Sequence, residues 1–296
     1  MIYTEPQAGT APIVQIINQS KKEIDLEVYF LSDAKILQAL AAAHQRGVQV
    51  RIILDKKPDG ISAGKVEQEK RKALATGAQF RWAPKRFTSN RRYWQFMHAK
   101  YVCNSHECEI GSANYGWDDF HRNRDYLFTT HNPKIVQAAN AVFQADWTNT
   151  HAPAYAHQVL VLSPRHSAWK LEQVIEQPGP VDIESEEMGP YRPILHALAA
   201  KGSLARVILP ANINHTDKKD VRYLRAHGVH VHLMPVRPIY MHAKMLVGNS
   251  QGFVGSVNFT ETSLNWNREM GVIIRNPDSL AKLRAQFNKD WAASEN

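Results

Sequence analysis

Apolar residues along this chain switch between a helical period and a strand period, and the whole succession occurs twice. Ile13, Ile16 and Ile17 share one helical face, which ends at Lys21-Lys22. Ile24-Asp25-Leu26-Glu27-Val28-Tyr29-Phe30 reads as a buried strand. The Ala/Leu-rich stretch 36–44, closed by Arg46-Gly47, predicts a helix, and 48–54 predicts a second strand ending at Asp55. A charged helix over 65–75, Gly77 and a short strand through Trp82 complete the series. The second half repeats it: helix 168–176, strand 181–184, helix 194–200, strand 204–209, helix 217–226, Gly228 and strand 229–234. Strands alternating with helices predict an α/β fold with crossover connections. The periodicity fades over 148–157, where Pro153 interrupts, so two halves are expected, 1–152 and 153–296. No low-complexity tract or long linker separates them, which predicts that they pack tightly.

The second half also repeats residues that carry chemistry. Met97-His98-Ala99-Lys100 recurs as Met241-His242-Ala243-Lys244, an offset of 242 − 98 = 144. Thirteen residues after each His stands Gly-Ser-x-Asn: Gly111, Ser112 and Asn114, then Gly255, Ser256 and Asn258. The register continues without a gap through Asn123-Arg124-Asp125 and Asn267-Arg268-Glu269, Asn132-Pro133 and Asn276-Pro277, and Asp146-Trp147 and Asp290-Trp291. Solenoid repeats are shorter, about 20–50 residues, so this is a duplicated domain.

His-x-Lys in a strand puts both side chains on one face, with Ala99 and Ala243 turned into a core. A tight turn and a returning strand bring Gly-Ser-x-Asn alongside. Two such copies, related by a pseudo-twofold axis, would set two imidazoles across an anion site lined by Lys100, Lys244, Asn114 and Asn258. That is a phosphodiesterase arrangement: one His attacks phosphorus and the other protonates the leaving oxygen. The lysines and amides stabilise charge on the non-bridging oxygens. Asp125 and Glu269 lie 27 residues after their respective histidines, the place for carboxylates that fix the imidazole tautomer at Nδ1. No carboxylate cluster calls for a metal, and no cofactor is expected.

These motifs resemble the phospholipase D superfamily, defined by HxK(x)4D(x)6GSxN. The resemblance implies two similar α/β halves with the active site at their interface. It makes His98 and His242 the nucleophile and the acid/base, with His98 as nucleophile, because the N-terminal His has that role in many two-motif relatives. It places Lys100, Lys244, Asn114, Asn258, Ser112 and Ser256 around the phosphate. The chain departs from the pattern where the motif aspartate would stand, with Ser105 and Asn249 four residues past each Lys and one residue fewer before Gly-Ser. Ser and Asn form turns readily, so a trimmed hairpin with its chemistry retained is expected. Both halves are present, so a monomer suffices.

Charge and cysteine content narrow the partners. A net charge of +8 favours an anionic partner: nucleic acid, an anionic membrane or a phosphorylated substrate. No apolar run approaches the ~20 residues of a membrane span. No signal peptide is visible, and the start almost at the domain would suit a mature form, so the compartment stays open. Cys103 and Cys108 flank a four-residue turn and are within reach of a disulfide; two free thiols are the alternative, and zinc with His106 lacks a fourth ligand. The stretch 85–94 mixes Lys85, Arg86, Arg91 and Arg92 with Phe87, Tyr93 and Trp94, suited to anionic headgroups or to unpaired bases. Tyr115-Gly116-Trp117 answers Phe259-Thr260-Glu261 and predicts an uneven, more aromatic mouth on one side. That favours a phospholipid substrate, hydrolysed or transphosphatidylated, with peripheral contact to an anionic membrane. A metal-independent nuclease is the alternative, and an inactive anion-binding descendant the third reading. Glu27 and Glu184 recur in equivalent strands as candidates for the cleft or for structure. His230 and His232 read as packing or surface residues, and Trp147 and Trp291 as core.

Overall fold

The structure, a computed structural model, describes residues 1–295. The first half contributes β1 (Ile2–Thr4), β2 (Glu23–Val28), β3 (Gln49–Leu54), β4 (Gln79–Trp82), β5 (Lys100–Cys103) and β6 (Cys108–Gly111). The two-residue β7 (Asn123–Arg124) and β8 (Tyr126–Thr130) follow. The second half contributes β9 (Val161–Ser163), β10 (Val181–Ser185), β11 (Ala205–Pro210), β12 (His230–Met234) and the two-residue β13 (Tyr240–Met241). It ends with β14 (Lys244–Val247), β15 (Gly252–Gly255) and β16 (Glu269–Ile274).

Two seven-stranded sheets result, ordered β1-β8-β6-β5-β2-β3-β4 and β9-β16-β15-β14-β10-β11-β12. The orders match strand for strand, so the duplication in sequence is a duplication of topology. In each sheet three helix-linked strands at one end run parallel, and the strand that follows the motif His joins them antiparallel.

Among the described residues eleven α-helices accompany these strands. Those of the first half are α1 (Ala11–Gln19), α2 (Ala34–Gln45), α3 (Ala63–Ala75), α4 (Trp117–His121) and α5 (Pro133–Trp147). Those of the second are α6 (Ala154–Val159), α7 (Ala168–Ile175), α8 (Arg192–Lys201), α9 (His215–Ala226), α10 (Glu261–Asn265) and α11 (Pro277–Ala293). The repeated Asn-Pro pairs start α5 and α11. Asn132 and Asn276 cap a free backbone N–H with the side-chain oxygen, and Pro occupies the first helical position, where its missing N–H costs nothing. Helix α6 lies in the stretch where periodicity fades, too short to declare itself by period.

Strand alternation sorts the core into three clusters. Ile24, Leu26 and Val28 of β2 pack with α1 and α2 on the outer face of the first sheet. Val181 and Ile183 of β10 do the same with α7 and α8 on the second. The inner faces, with α5 and α11, share a central core that takes Ala99, Tyr101 and Phe143 from one half and Ala243, Met245 and Phe287 from the other. Ala99 and Ala243 are therefore turned inward, as expected of a strand. Trp147 and Trp291 are half-buried against the same core, each stacked on the Phe one turn earlier.

The halves also exchange backbone. β13 pairs with β7, and Met97 bridges to Arg268, so each segment leading into a His runs beside the Asn-Arg-acid segment of the other half. The arginines reinforce this exchange: Arg124 pairs with Asp290 at 2.6 Å and Arg268 with Asp146 at 2.8 Å, all four buried. These pairs explain why Arg and Asp recur in register.

The trimmed hairpins lie at the far end of the His-Lys strands. Ser105 and Asn249 are exposed at the turns, and the Asn104 side chain accepts from the N–H of His106 and Glu107 at 2.8 Å each. Cys103 and Cys108 face each other across the ladder and are joined by a disulfide of 2.03 Å, while His106 is exposed.

Candidate active site

The two histidines stand where their strands begin, at the carboxyl end of the parallel strands, where open α/β sheets place ligands. Each is held by the opposite half: His98 N–H donates to Arg268 O at 2.8 Å and His242 N–H to Arg124 O at 3.2 Å. The acid that follows each arginine then reaches across. Glu269 accepts from His98 Nδ1 at 3.0 Å, and Asp125 from His242 Nδ1 at 2.9 Å. Each carboxylate thus serves the histidine of the other half, not the one 27 residues before it. The sequence predicts the acids and their spacing but not this exchange.

Ser112 and Ser256 do not face the phosphate site expected of them. Both are fully buried, and their hydroxyls donate to Asp125 and Glu269 at 2.5 Å. A hydroxyl that satisfies a buried carboxylate has no donor left for the cleft. Gly255 owes its place to packing: a Cβ there would come within 2.4 Å of Gly271 Cα on the neighbouring strand. Lys100 and Lys244 are fully buried, and each Nζ donates to the carbonyl of its own motif His at 2.6 Å. A cleft of about 580 Å³ opens onto His98, His242, Asn114 and Asn258. The amide oxygens of both asparagines have no hydrogen-bond partner in the protein.

The surroundings of the two histidines differ sharply. Residues that correspond at an offset of 186 − 29 = 157 are Tyr29 and Glu186, each just past a central strand. Tyr29 meets His98 edge-on at 4.9 Å, and its ring faces Lys100 Nζ at 5.1 Å. Glu186 pairs with Lys244 at 2.8 Å and lies 3.5 Å from His242 Nε2. Asp119, which answers to Ser263 in the second half, adds a further carboxylate 4.0 Å from His242 Nδ1. Asp119, Asp125 and His242 are the one cluster among the described residues with metal-ligand proximity, and Asp125 is already committed to Nδ1.

Burial, reinforced by the charges of Lys100 and Lys244, pushes the His98 pKa down to about 4 against the pull of Glu269. Glu269, despite a burial that opposes it, is held below the ordinary carboxylate range, first by His98 and then by Lys100. The two directions agree if a neutral imidazole donates its Nδ1–H to an ionised carboxylate and leaves the Nε2 lone pair free. His242 goes the other way: burial lowers it, but Asp125 and Glu186 outweigh that and raise it above its ordinary value. Burial brings Lys100 down to about 7. Glu186 is held well below the usual range by His242 and Lys244, which overcome its burial. The two imidazoles are thus shifted in opposite directions, His98 towards the neutral form and His242 towards the protonated one.

The remaining sequence candidates fall elsewhere. Glu27 and Glu184 lie on the inner sheet faces, away from the cleft, and accept from the buried hydroxyls of Tyr101 and Tyr126 at 2.6 and 2.7 Å. His232 stacks on Trp291, and His121 on Trp117. The uneven mouth is only partly where the triplets put it: Tyr115 and Phe259 are both buried core. Thr260 and Glu261 line the cleft, while Trp117 is exposed. The basic, aromatic stretch divides as well. Phe87 enters the core and Arg86 pairs with Asp146, whereas Arg91, Arg92, Tyr93 and Trp94 are exposed and Trp94 borders the cleft. Reasoning from sequence misses Tyr29, Asp119 and Glu186. The 157-residue offset, already visible in Glu27 and Glu184, is the signal that leads to Glu186.

The domain family described as "Cardiolipin synthase, PLD-like domain" matches residues 13–147 and 187–291. The chain is 43% identical over 54 residues to a protein named phospholipase D from Rickettsia prowazekii (strain Madrid E), covering 18% of this chain and 26% of that one. It is 29% identical over 136 residues to a cardiolipin synthase of Listeria welshimeri, covering 45% of this chain and 26% of the other. Its aligned stretches thus span about a quarter of the length of either relative. Among solved structures, polyphosphate kinase from Porphyromonas gingivalis superposes with a TM-score of 0.73 at 14% identity, over 97% of this chain and 49% of that one. That likeness is one of fold.

Proposed function

We infer the reaction from the chain's family: it belongs to the phospholipase D superfamily. We propose that it is a phosphodiesterase that works through a covalent phosphohistidine on His98. The observation that carries this reading is the reciprocal pairing of His98 with Glu269 and His242 with Asp125, which commits each Nδ1 and leaves each Nε2 for the one cleft that both rings line. His98 Nε2 attacks phosphorus, and the bond from phosphorus to the departing oxygen breaks as His242 Nε2–H passes its proton to that oxygen. The alcohol leaves neutral and the phosphoryl group stays on His98. Water then gives a proton to His242 Nε2 while its oxygen displaces His98 from phosphorus, which restores both histidines. An alcohol in place of water makes the same step a transfer. Lys100, Lys244, Asn114 and Asn258 stabilise charge on the non-bridging oxygens.

A phospholipid is the substrate class we favour. Glu186, Glu187, Asp217 and Glu261 on one wall of the cleft would repel the successive phosphates of a polynucleotide, although the chain as a whole carries +8. The exposed Arg91, Arg92, Tyr93 and Trp94 suit contact with an anionic lipid surface. The cysteine pair suits an oxidising compartment. Hydrolysis of bis(4-nitrophenyl) phosphate, followed with and without EDTA, tests the chemistry apart from the substrate. Activity should persist in EDTA and fall by about a thousandfold in His98→Ala. Substantial turnover by His98→Ala would sink the covalent mechanism.

A further inference from the structure

In-line attack by His98 fixes which wall of the cleft receives the departing alcohol. It must lie opposite His98, on the side of His242. The wall beside His98 comes from the first half and is mainly aromatic, with Tyr29, Phe96 and Trp94 and the single carboxylate of Asp59. The wall on the His242 side comes from the second half and bears most of the carboxylates. Glu186 and Glu187 follow β10, Asp217 sits in the first turn of α9, and Glu261 opens α10.

Only Glu186 among these four has a cationic partner within ion-pair distance among the described residues. Glu187 accepts from Asn258 Nδ2 at 3.3 Å, and burial with the nearby charges of Glu186 and Asp217 pushes its pKa up to about 7. Burial likewise brings Asp217 to about 6. Such carboxylates regain full ionisation when a cation settles among them. The amide oxygen of Asn258 gives an independent sign: the side chain is 6% exposed and lines the cleft, yet this acceptor is buried without a partner.

Resting on the phosphodiesterase reading, we propose that this wall is the leaving-group subsite and that it selects an alcohol bearing a primary ammonium. Carboxylate and amide acceptors call for N–H donors, and a primary ammonium carries three. A trimethylammonium has none and is recognised by aromatic faces, which in this cleft lie on the opposite wall. A glycerol group supplies hydroxyl donors but leaves the carboxylate charge unopposed. Glu186 and Glu187 occupy the positions of Tyr29 and Phe30 in the other half, so the acidic wall arose on one side of the duplication only.

The test uses dihexanoyl phosphatidylethanolamine, phosphatidylcholine and phosphatidylglycerol below their aggregation concentrations, with phosphatidate formation as the readout. This removes any contribution from docking to a lipid surface. The expected order of kcat/KM is ethanolamine above choline above glycerol, with roughly tenfold between the first and last. In Glu187→Gln and Asp217→Asn the ethanolamine-to-glycerol ratio should fall towards one. A second measurement needs no variant: phosphoethanolamine should inhibit bis(4-nitrophenyl) phosphate hydrolysis at lower concentration than phosphocholine. Equal or better use of phosphatidylglycerol by the unmodified protein overturns the subsite. His98-dependent hydrolysis of bis(4-nitrophenyl) phosphate without any headgroup preference overturns the subsite and leaves the phosphodiesterase reading standing. Folded protein inactive on every substrate overturns both.

Discussion

The two halves share a topology, a His-x-Lys segment, a Gly-Ser-x-Asn return and a buried acid on the partner's imidazole, yet they shift their histidines in opposite directions. Around His98 stand Glu269, Lys100, Lys244 and the ring of Tyr29, and burial pushes the imidazole towards its neutral form. Around His242 stand Asp125, Asp119 and Glu186, and despite burial its hold on a proton is strengthened. The motif His, Lys, Ser and Asn are the same in each half, so the difference lies in what borders them. Under the proposed mechanism, substitutions at Tyr29/Glu186 and Asp119/Ser263 would turn two like imidazoles into a nucleophile and an acid.

The sharpest way to break this comparison is to remove one imidazole at a time and vary the leaving group. On an alkyl phosphodiester, both His98→Ala and His242→Ala should lose about 10³-fold in kcat. On bis(4-nitrophenyl) phosphate, whose leaving group departs without a proton, His242→Ala should recover much of its rate and His98→Ala none. Equal recovery by both would show that the two roles are interchangeable. Next in size are the paired acids. Asp125→Asn and Glu269→Gln should each cost about 10–100-fold, as loss of the carboxylate behind an imidazole does elsewhere. Stopped assays at saturating substrate would measure it.

Smaller, but more telling, are the pH limbs. Activity requires His98 without its proton and His242 with one, so it should fall at low pH as His98 protonates and at high pH as His242 deprotonates. Glu186→Gln removes a negative charge that stabilises protonated His242, and the alkaline limb of kcat/KM should move down by about one unit. Tyr29→Glu places a carboxylate beside His98, raises its proton affinity and should move the acid limb up. An unmoved alkaline limb in Glu186→Gln would contradict the assigned role of that carboxylate. The smallest effect belongs to the disulfide, which closes a six-residue loop from Cys103 to Cys108 far from the cleft. The Cys103→Ser, Cys108→Ser double variant should lose about 2 kcal/mol of stability, read as a lower Tm, with kcat unchanged.

Period and repetition carried a good part of this in the sequence. The 3.6- and 2-residue patterns located the helices and strands of each half up to its motif, not the long α5 and α11 after it, and the 144-residue register located both histidines, both lysines, both asparagines and both acids. Short elements without a full period, such as α4, α6, α10 and the strands β7 and β13, escaped because two to six residues cannot display one. The resemblance places Ser112 and Ser256 at the phosphate, yet each lies just past the end of its strand and donates to the buried Asp125 or Glu269 of its own half. Tyr115 and Phe259 looked like mouth residues because the triplets differ, but both point into the outer cores.

By itself the sequence determined that two α/β copies exist and that each carries an imidazole two residues before the lysine that opens a strand, because period and repetition are local properties of the chain. Only the tertiary structure decided that Glu269 would serve His98, 171 residues away, and Asp125 serve His242, 117 residues away. Those contacts depend on how the halves exchange backbone at β7 and β13, and no local pattern encodes that exchange. The same assembly brought Glu186 to one imidazole and Tyr29 to the other. In a buried cleft the balance of burial and neighbouring charge sets the direction in which each imidazole shifts.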